Sequence, residues 1–377
     1  MPSIPAAEFV GAGLWQLNKG LSDPYKSLLK LLITRHYAGQ FPNIRPLCWD
    51  LKQQVHKGTT DAGSNDAYLL MLARITRQLQ QDGNHERVEL ARRAFYFKAR
   101  LTLSDLSKTQ QNSWRAQTMR SLCRQWGWSE NYIRELDQRP DWSPLRIAQE
   151  RNALISEMLG SYRFLAGFSQ KYAPKVRISK QDTQTLGNRL YAAFDSRPGK
   201  ITDINPGISP AMGQEKMALN LKQDIWQLIP GVFYRSEDDN TEQQQVLKQS
   251  PSLVELLCYA RVNGMLENYT RTAIYPTHNP LSKYELKEVC EEILDIRPYQ
   301  PETADFRSAP RPLSWYLHIN VGVDPQHELS RRGMQKLSNR DDALGYSSAR
   351  ENLIHTLDLV SVNSWGEWQV ERFTGGA

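Results

Sequence analysis

The 377-residue sequence predicts an α+β protein: an N-terminal all-helical domain followed by a mixed, largely antiparallel sheet domain with a few helices. Up to about residue 173, apolar residues recur at spacings of three and four, which is the period of an amphipathic helix. After Pro174, shorter runs of alternating apolar and polar residues flank a Pro/Gly-rich connector. We therefore expect two domains, residues 1–177 and residues 178–377.

Each predicted helix of the first domain has start and stop signals of its own. Asp23-Pro24 supplies an N-cap and a first helical residue for the apolar stripe of Tyr25–Tyr37, which Gly39 ends. Ser64 or Asn65 is expected to cap the second helix. Further helices are predicted over about Glu86–Phe97, Ser113–Trp126 and Leu145–Tyr172, and one more, Asp182–Phe194, follows Pro174 at the start of the second domain.

In the second domain, strand-like runs alternate with two predicted helices. The helices lie near Leu253–Asn263 and Lys283–Leu294, on one face of the predicted sheet. Two polar segments, Glu237–Gln249 and Pro325–Arg350, are expected to be mobile insertions. The predicted strands are Met217–Lys222, Trp226–Phe233, Thr270–Tyr275, Ser314–Val323, Ile354–Val362 and Trp368–Phe373.

The formal charge of +6 is unevenly distributed. Residues 1–177 carry 26 Lys and Arg against 15 Asp and Glu, and residues 178–377 carry 21 against 26. A basic half indicates a phosphate-bearing ligand, a nucleic acid or an acidic neighbour, and solvated helix faces would give the same composition. Because no nucleic-acid-binding signature accompanies the charge, we expect no nucleic-acid partner.

Hydropathy and cysteine spacing exclude several classes of protein. No run approaches the roughly 20 apolar residues of a membrane span, and Met1–Ala7 has no basic segment typical of a signal peptide. We therefore expect a cytoplasmic protein without a membrane span. The cysteines are far apart and lack paired histidines, so neither a disulfide framework nor a zinc site is predicted, and we expect core thiols. They are Cys48, Cys123, Cys258 and Cys290.

The stretch Glu8–Lys19 (EFVGAGLWQLNK) stands just before the helix that begins at Pro24. Its Gly-Ala-Gly is predicted to form a turn. Lys19, Lys26 and Lys30 then flank a helix N-terminus, where lysines and free backbone N–H groups suit a polyphosphate. The alternative is that all three lysines are merely solvated.

A second stretch, Asn363-Ser364-Trp365 followed by Glu367, is predicted to form a hairpin turn with Trp365 folding back on the sheet. Its alternative is a docking surface for a regulator. Trp15 and Trp49 are expected to anchor a core or an interface. His318 lacks a nucleophile or an acidic partner nearby in the sequence, so we expect no catalysis there.

The two stretches resemble the two signatures of the class I adenylate cyclases of the enterobacterial type. Phe9, Val10 and Asn18 depart from the first pattern, which indicates a diverged member. Gln125–Trp128 and Leu190–Ser209 also resemble that family, so the resemblance covers nearly the whole chain. The matching signature residues are Glu8, Gly11, Leu14, Trp15, Leu17, Lys19, Asn363, Ser364, Trp365 and Glu367.

The resemblance implies conversion of ATP to 3′,5′-cyclic AMP and pyrophosphate, with magnesium or manganese accompanying ATP. The catalytic part of such enzymes is similar to nucleotidyltransferases, in which a Gly-Ser turn binds the triphosphate and an Asp-x-Asp pair holds two metal ions. The Gly-Ser pairs here, Gly63-Ser64 and Gly160-Ser161, stand in helical surroundings, and no Asp-x-Asp occurs. We therefore predict no catalytic residue and no metal ligand in this chain.

The chain accordingly resembles the central portion of such an enzyme, without the N-terminal nucleotidyltransferase domain. Residues 1–177 would pack behind the catalytic domain, with Lys19, Lys26 and Lys30 binding the triphosphate, and residues 178–377 would be regulatory. By analogy with the family, the glucose-specific enzyme IIA of the phosphotransferase system is a partner. The alternative is a non-enzymatic protein-interaction module related to the cyclases.

Overall fold

The computed structural model describes residues 4–58, 66–107, 111–173, 180–209, 212–231, 246–275, 281–335, 337, 347–348 and 352–375. With 54% helix and 15% strand, it confirms the predicted α+β class. Two compact units are present, Met1–Leu190 with Asn205–Pro210, and Tyr191–Ile204 with Ala211–Ala377. The domain boundary at 177/178 stays a prediction, since residues 174–179 lie outside the described part of the chain.

The first unit is helical, as predicted. Pro24 begins α2 and Pro144 begins α8, both at the first helical position that proline favours. Asp66, rather than the predicted Ser64 or Asn65, caps α4 by accepting hydrogen bonds from the backbone N–H groups of Tyr68 and Leu69. The helices are α1 (Ala6–Gly20), α2 (Pro24–Gly39), α3 (Leu47–His56), α4 (Ala67–Gln81), α5 (His85–Ala99), α6 (Trp114–Gln125), α7 (Glu130–Asp137), α8 (Pro144–Tyr172) and α9 (Lys180–Phe194).

Helix α2 is central to this unit, because it packs against α1, α4, α5 and α8. Tyr25, in the first turn of α2, is buried, and the centroid of its ring lies 4.6 Å from that of Phe97 on α5. Glycines bring α1 close to α8: a Cβ added at Gly13 would overlap Leu165, and one at Gly20 would overlap Met158. The core of the unit therefore depends on small residues in α1 as well as on the apolar stripe of α2.

The second unit contains two sheets rather than the single sheet that the sequence suggested. The first has the order β3-β2-β1-β4, with β1 and β4 parallel and the other pairs antiparallel. The second is antiparallel, with the order β5-β6-β7. Its elements are β1 (Lys216–Lys222), β2 (Ile225–Pro230), β3 (Lys248–Ser250), α10 (Leu253–Val262), β4 (Arg271–Tyr275), α11 (Lys283–Asp295), β5 (Pro312–Ile319), α12 (Pro325–Arg331), β6 (Thr356–Asn363) and β7 (Trp368–Thr374).

Helix α10 explains how two sheets share one core. It packs against β2 and β3 of the first sheet and against β7 of the second. Seven of its ten residues are buried, all of them apolar or aromatic, as expected of a helix that contacts neighbours on several sides. Both polar segments contain regular structure, because β3 begins within Glu237–Gln249 and α12 within Pro325–Arg350. Many of their other residues lie outside the described ranges.

A short segment of the connector runs beside β7. The backbone N–H of Ile201 donates to the carbonyl of Trp368, and the N–H of Val370 donates to the carbonyl of Gly199. Gly199 has φ of +76°, and a side chain there would overlap the Val370 carbonyl, so only glycine fits. Among the helices of the described residues, none is both long and apolar enough to cross a bilayer.

Candidate functional site

The first signature stretch is helical, so the predicted Gly-Ala-Gly turn is wrong. Gly11 and Gly13 both lie inside α1, which runs from Ala6 to Gly20. Glycine is tolerated here because α1 lies close to α8, and at Gly13 there is no room for a larger side chain. Local propensity suggested a turn, and close helix packing overrides it.

Several signature residues form one exposed stripe of α1. Glu8, Gly11, Trp15 and Lys19 follow each other at spacings of three and four, and all are exposed. The Trp15 ring is 57% exposed, and the Lys19 Nζ lies 4.9 Å from its centroid. Trp15 and Trp49 are therefore not core residues, since Trp49 is exposed too, and their role as interface anchors stays a prediction. Leu14 faces the other way and packs on the core.

The two other predicted phosphate ligands lie on the first turns of α2. Lys26 is exposed and Lys30 is half-buried. Both act electrostatically on Lys98 at the end of α5, as does Arg115 on α6. Lys19, in contrast, makes a cation–π contact with Trp15. The structure thus places Lys26 and Lys30 in one basic cluster with Lys98 and Arg115, which we call the α2–α5–α6 cluster.

Two members of this cluster, Lys98 and Arg115, line a cavity of about 160 Å³ between α4, α5 and α6. The Lys98 Nζ lies 3.2 Å from the centroid of the Tyr68 ring, and the Arg115 guanidinium lies 5.6 Å from that of Trp114. Apolar walls come from residues such as Leu69, Phe95, Leu101, Met119 and Leu122. A cavity with aromatic and aliphatic walls and cations at its edge suits an aromatic anion.

The electrostatics of Lys98 reflect its crowded position. Burial lowers its pKa, and the neighbouring cations Arg115, Lys26 and Lys30 lower it further, while Asp66 raises it. The carboxylate of Asp66 also caps α4, so it has structural hydrogen bonds of its own. Sequence reasoning missed Lys98 and Arg115 because they belong to no motif; only the packing of α5 and α6 brings them near α2.

Much of the positive charge of the first unit has a structural explanation. Glu157 is buried and accepts from Arg35 at 3.4 Å and from Arg87 at 2.5 Å. Glu150, also buried, is held in the same way by Arg93 and Arg146, both at 3.1 Å. A buried carboxylate needs such partners, so these arginines serve the fold. The α2–α5–α6 cluster has no comparable pair of buried acids among its recorded neighbours.

The second signature forms the turn between β6 and β7, as predicted. The side-chain oxygen of Asn363 accepts from the backbone N–H groups of Trp365 and Glu367, and Gly366 has φ of +75°. The Trp365 indole is buried, packs 5.7 Å from the Phe306 ring and donates to the carbonyl of Asp305. These residues hold the hairpin together and offer little exposed surface, so they do not support the docking alternative.

Glu367 is the charged centre of that hairpin. Its carboxylate lies 2.7 Å from the Lys200 Nζ and 3.3 Å from an Arg197 nitrogen, and it accepts a 2.7 Å hydrogen bond from the Asn363 amide. The side chains of Lys200 and Glu367 are both 4% exposed. Lys200 also donates to the carbonyl of Ala192. A buried ion pair thus ties the connector to the second signature.

His318 has an acidic neighbour that the sequence did not reveal. Asp358 on β6 is its register partner, is fully buried, and pairs with Arg372 at 3.0 Å. Burial lowers the pKa of His318, while Asp358 and Glu292 oppose that shift. Burial also raises the pKa of Asp358. The Nε2 atom of His318 is buried and has no hydrogen-bond partner among the described residues.

The Gly-Ser pairs and the cysteines of the described residues form no recognisable catalytic site. Gly160-Ser161 lies inside α8, so it is not a phosphate-binding turn, and Gly63-Ser64 is outside the described residues. Within the described ranges, no three or more His, Cys, Asp or Glu side chains are grouped as metal ligands. Cys123, Cys258 and Cys290 are buried, as predicted for core thiols. Cys48 is exposed, so the prediction is wrong for this cysteine.

Comparison with known proteins places these features in a family context. Residues 4–205 match the family model described as adenylate cyclase, class-I, second domain. Residues 303–377 match the one described as adenylate cyclase, class-I, fourth domain. Curated proteins named adenylate cyclase from Yersinia intermedia, Proteus mirabilis and Escherichia coli (strain K12) are 31%, 30% and 30% identical over 100%, 99% and 100% of the chain.

The chain spans less than half the length of these relatives, at 45%, 44% and 45%. No solved structure matches it.

Proposed function

The chain belongs to the class-I adenylate cyclase family, and from this premise we propose that it acts as part of a cytoplasmic enzyme that converts ATP to 3′,5′-cyclic AMP and pyrophosphate. The observation that carries this proposal is the order of the two matches, a second domain over residues 4–205 and a fourth domain over residues 303–377. Both signature stretches lie inside them.

In this proposal the chain supplies helical support and a regulatory region, and the metal-binding core lies elsewhere in the enzyme. Magnesium or manganese is expected to accompany ATP. The sequence has no Asp-x-Asp pair of the kind that holds two metal ions in nucleotidyltransferases. We therefore assign no chemical step to its own residues.

The contribution that we assign to the helical unit is phosphate binding. Lys26 and Lys30 belong to the α2–α5–α6 cluster, and a polyphosphate would relieve the repulsion among its cations. Lys19 is the weaker candidate, because it lies on the exposed stripe of α1 and not on the first turns of α2. Each lysine would act by a charge-assisted hydrogen bond that strengthens as pyrophosphate leaves.

The exposed stripe of α1 supports the proposal that this unit packs behind a catalytic domain. The Trp15 indole, which is 57% exposed, offers apolar area that a packed domain would bury. Glu8 and Lys19 bracket Trp15 on the same face, which gives an apolar centre with a charged rim. We infer that this stripe contacts the nucleotidyltransferase domain.

The proposal is tested with a fusion. The segment of the Escherichia coli relative that aligns with this chain is replaced by the chain, and cyclic AMP is measured with ATP and magnesium or manganese. The fusion should produce cyclic AMP, and the purified chain alone should not. Production of cyclic AMP by the chain alone would overturn the proposal that the metal-binding core lies elsewhere in the enzyme.

In the active fusion, Lys26→Ala should lower kcat/KM by roughly ten- to a hundredfold, corresponding to about 1.5–3 kcal/mol of transition-state stabilisation. Lys52→Ala is the matched control, because Lys52 is an exposed lysine on α3. If both variants keep kcat/KM within about twofold of the parent, Lys26 has no phosphate role.

A second candidate function, a protein-interaction module, is favoured by the outer face of the β5-β6-β7 sheet. Trp315 and Leu317 on β5 are 62% and 61% exposed, and Phe373 on β7 is 52% exposed. On the same face, the register pairs Leu317 with Leu359, and Leu357 with Phe373. Ser361, Gln369 and Glu371 lie beside them, so the face mixes apolar and polar side chains, as protein interfaces do. Strand β5 is an edge strand of this sheet.

By family analogy, we propose the glucose-specific enzyme IIA of the phosphotransferase system as the partner on this face. Isothermal titration of the chain with purified enzyme IIA should give binding that Trp315→Ser with Leu317→Ser removes. Tyr284→Ser is the matched control, since Tyr284 is an exposed aromatic residue on α11. Binding that survives the double substitution would place the partner elsewhere.

A further inference from the structure

The cavity beside the α2–α5–α6 cluster has features that phosphate binding alone does not explain. Inorganic phosphate needs cations and donors, but this cavity is also lined by Tyr68, Trp114 and Leu122. Its volume is about 160 Å³, and an engineered apolar cavity of about 150 Å³ in another protein accommodates benzene. There is therefore space for one aromatic ring system beside the cations.

The charges at the cavity have one predominant sign. Lys98 and Arg115 line it, and Lys26 and Lys30 lie close enough to act on Lys98. Among the described residues, the carboxylate that lines the cavity and acts on Lys98 is that of Asp66, which caps α4. A neutral aromatic ligand would leave this positive field unused, whereas a polyphosphate attached to the ring would neutralise it.

The cavity walls are placed for ring recognition. Trp114 begins α6, Thr118 follows one turn later and Leu122 another turn on, so all three lie along one side of that helix. The hydroxyl of Thr118 is the polar group of this row, and it can hydrogen-bond the edge of a heterocycle. Tyr68 and Lys98, which make a cation–π contact with each other, also line the cavity.

We propose that this cavity binds the base of a nucleoside polyphosphate whose phosphates lie on Lys26, Lys30, Lys98 and Arg115. This inference rests on the proposed phosphate role of Lys26 and Lys30 and extends it to the recognition of the base. The ring stacks against Trp114 and hydrogen-bonds Thr118, and the cations at the cavity edge hold the phosphate chain.

The test measures binding of three probes to the full 377-residue chain by isothermal titration: ATP, inorganic tripolyphosphate and adenosine. ATP should bind roughly tenfold or more tightly than tripolyphosphate, since stacking and edge contacts add to the phosphate term. Thr118→Phe, which fills the cavity without changing its charge, should remove that advantage and leave tripolyphosphate binding unchanged. Trp114→Ala is the second variant, in case the larger side chain disturbs folding.

The phosphate half is tested separately with Lys26→Ala and Lys30→Ala together, which should weaken ATP and tripolyphosphate alike by roughly tenfold or more. Lys52→Ala with Lys57→Ala removes two exposed lysines on and beside α3 and should change neither. Equal affinities for ATP and tripolyphosphate, unaffected by Thr118→Phe and Trp114→Ala, would overturn the base site alone. Silent Lys26 and Lys30 substitutions would overturn the proposed phosphate role, and with it the joint site.

Discussion

Neutralising Glu367 by Glu367→Gln should destabilise the β6-β7 hairpin more than removing its partner by Lys200→Met. After Glu367→Gln, the Lys200 ammonium stays buried with the Ala192 carbonyl as its hydrogen-bond acceptor. Leaving a buried charge without its counterion costs about 3–5 kcal/mol.

Lys200→Met is expected to cost less, because the carboxylate of Glu367 keeps two polar partners. Arg197 remains 3.3 Å away, and the Asn363 amide still donates at 2.7 Å. The methionine also fills the apolar volume of the lysine stem. We therefore expect this variant to cost about 1–3 kcal/mol.

Native-state hydrogen exchange of peptides covering residues 356–374 gives the local free energy of opening. Since about 1.4 kcal/mol is a factor of ten, Glu367→Gln should speed exchange by roughly two to three and a half powers of ten and Lys200→Met by about one to two. The double variant should exchange more slowly than Glu367→Gln alone, because no orphaned ammonium remains. A loss below about 1 kcal/mol for Glu367→Gln, or strictly additive costs, would refute the ion-pair explanation.

Three further predictions concern other parts of the chain. Gly13→Ala should destabilise the helical unit by about 1–3 kcal/mol because its Cβ overlaps Leu165, whereas Gly11→Ala, with open space around it, should be neutral or stabilising by about 0.5–1 kcal/mol in urea unfolding. Trp15→Ala should change the free energy of unfolding by less than about 1 kcal/mol yet lower the activity of the fusion; a loss of about 3 kcal/mol or more would show a packing role instead. The pKa of His318 lies below its ordinary 6.5 in the folded protein, so its stabilising contribution is full above pH 6.5 and is lost as pH falls through the folded pKa. His318→Gln should therefore flatten the fall in urea stability between pH 7.5 and 5.5, and parallel curves for the two proteins would exclude this histidine.

Helix and strand positions were largely predictable because they depend on local periodicity and end signals. The stripe of α2 with Pro24 at its start, and the alternation along β6, are read directly from neighbouring residues. The hairpin turn at Asn363 was predictable for the same reason. The prediction failed at Gly11 and Gly13, where local signals indicate a turn but both residues lie inside α1, with Gly13 packed closely against Leu165 of α8.

The candidate site depended on contacts far apart in the sequence. Lys26 and Lys30 could be identified from the helix start at Pro24, but Lys98 and Arg115 reach the same cluster through the packing of α5 and α6. Nothing in their local sequence distinguishes them from other exposed cations.

By itself, the sequence determined the α+β class, most helices and strands and the family, because these depend on periodicity and on side chains at fixed spacing along the chain. The tertiary structure decided which charged side chains form buried ion pairs and which remain exposed to bind a ligand. It gave Glu367 the buried Lys200 as a partner, exposed Trp15, and brought the cations beside the α4–α5–α6 cavity together. Burial and electrostatic energy depend on distances between elements remote in sequence, and packing alone fixes those distances.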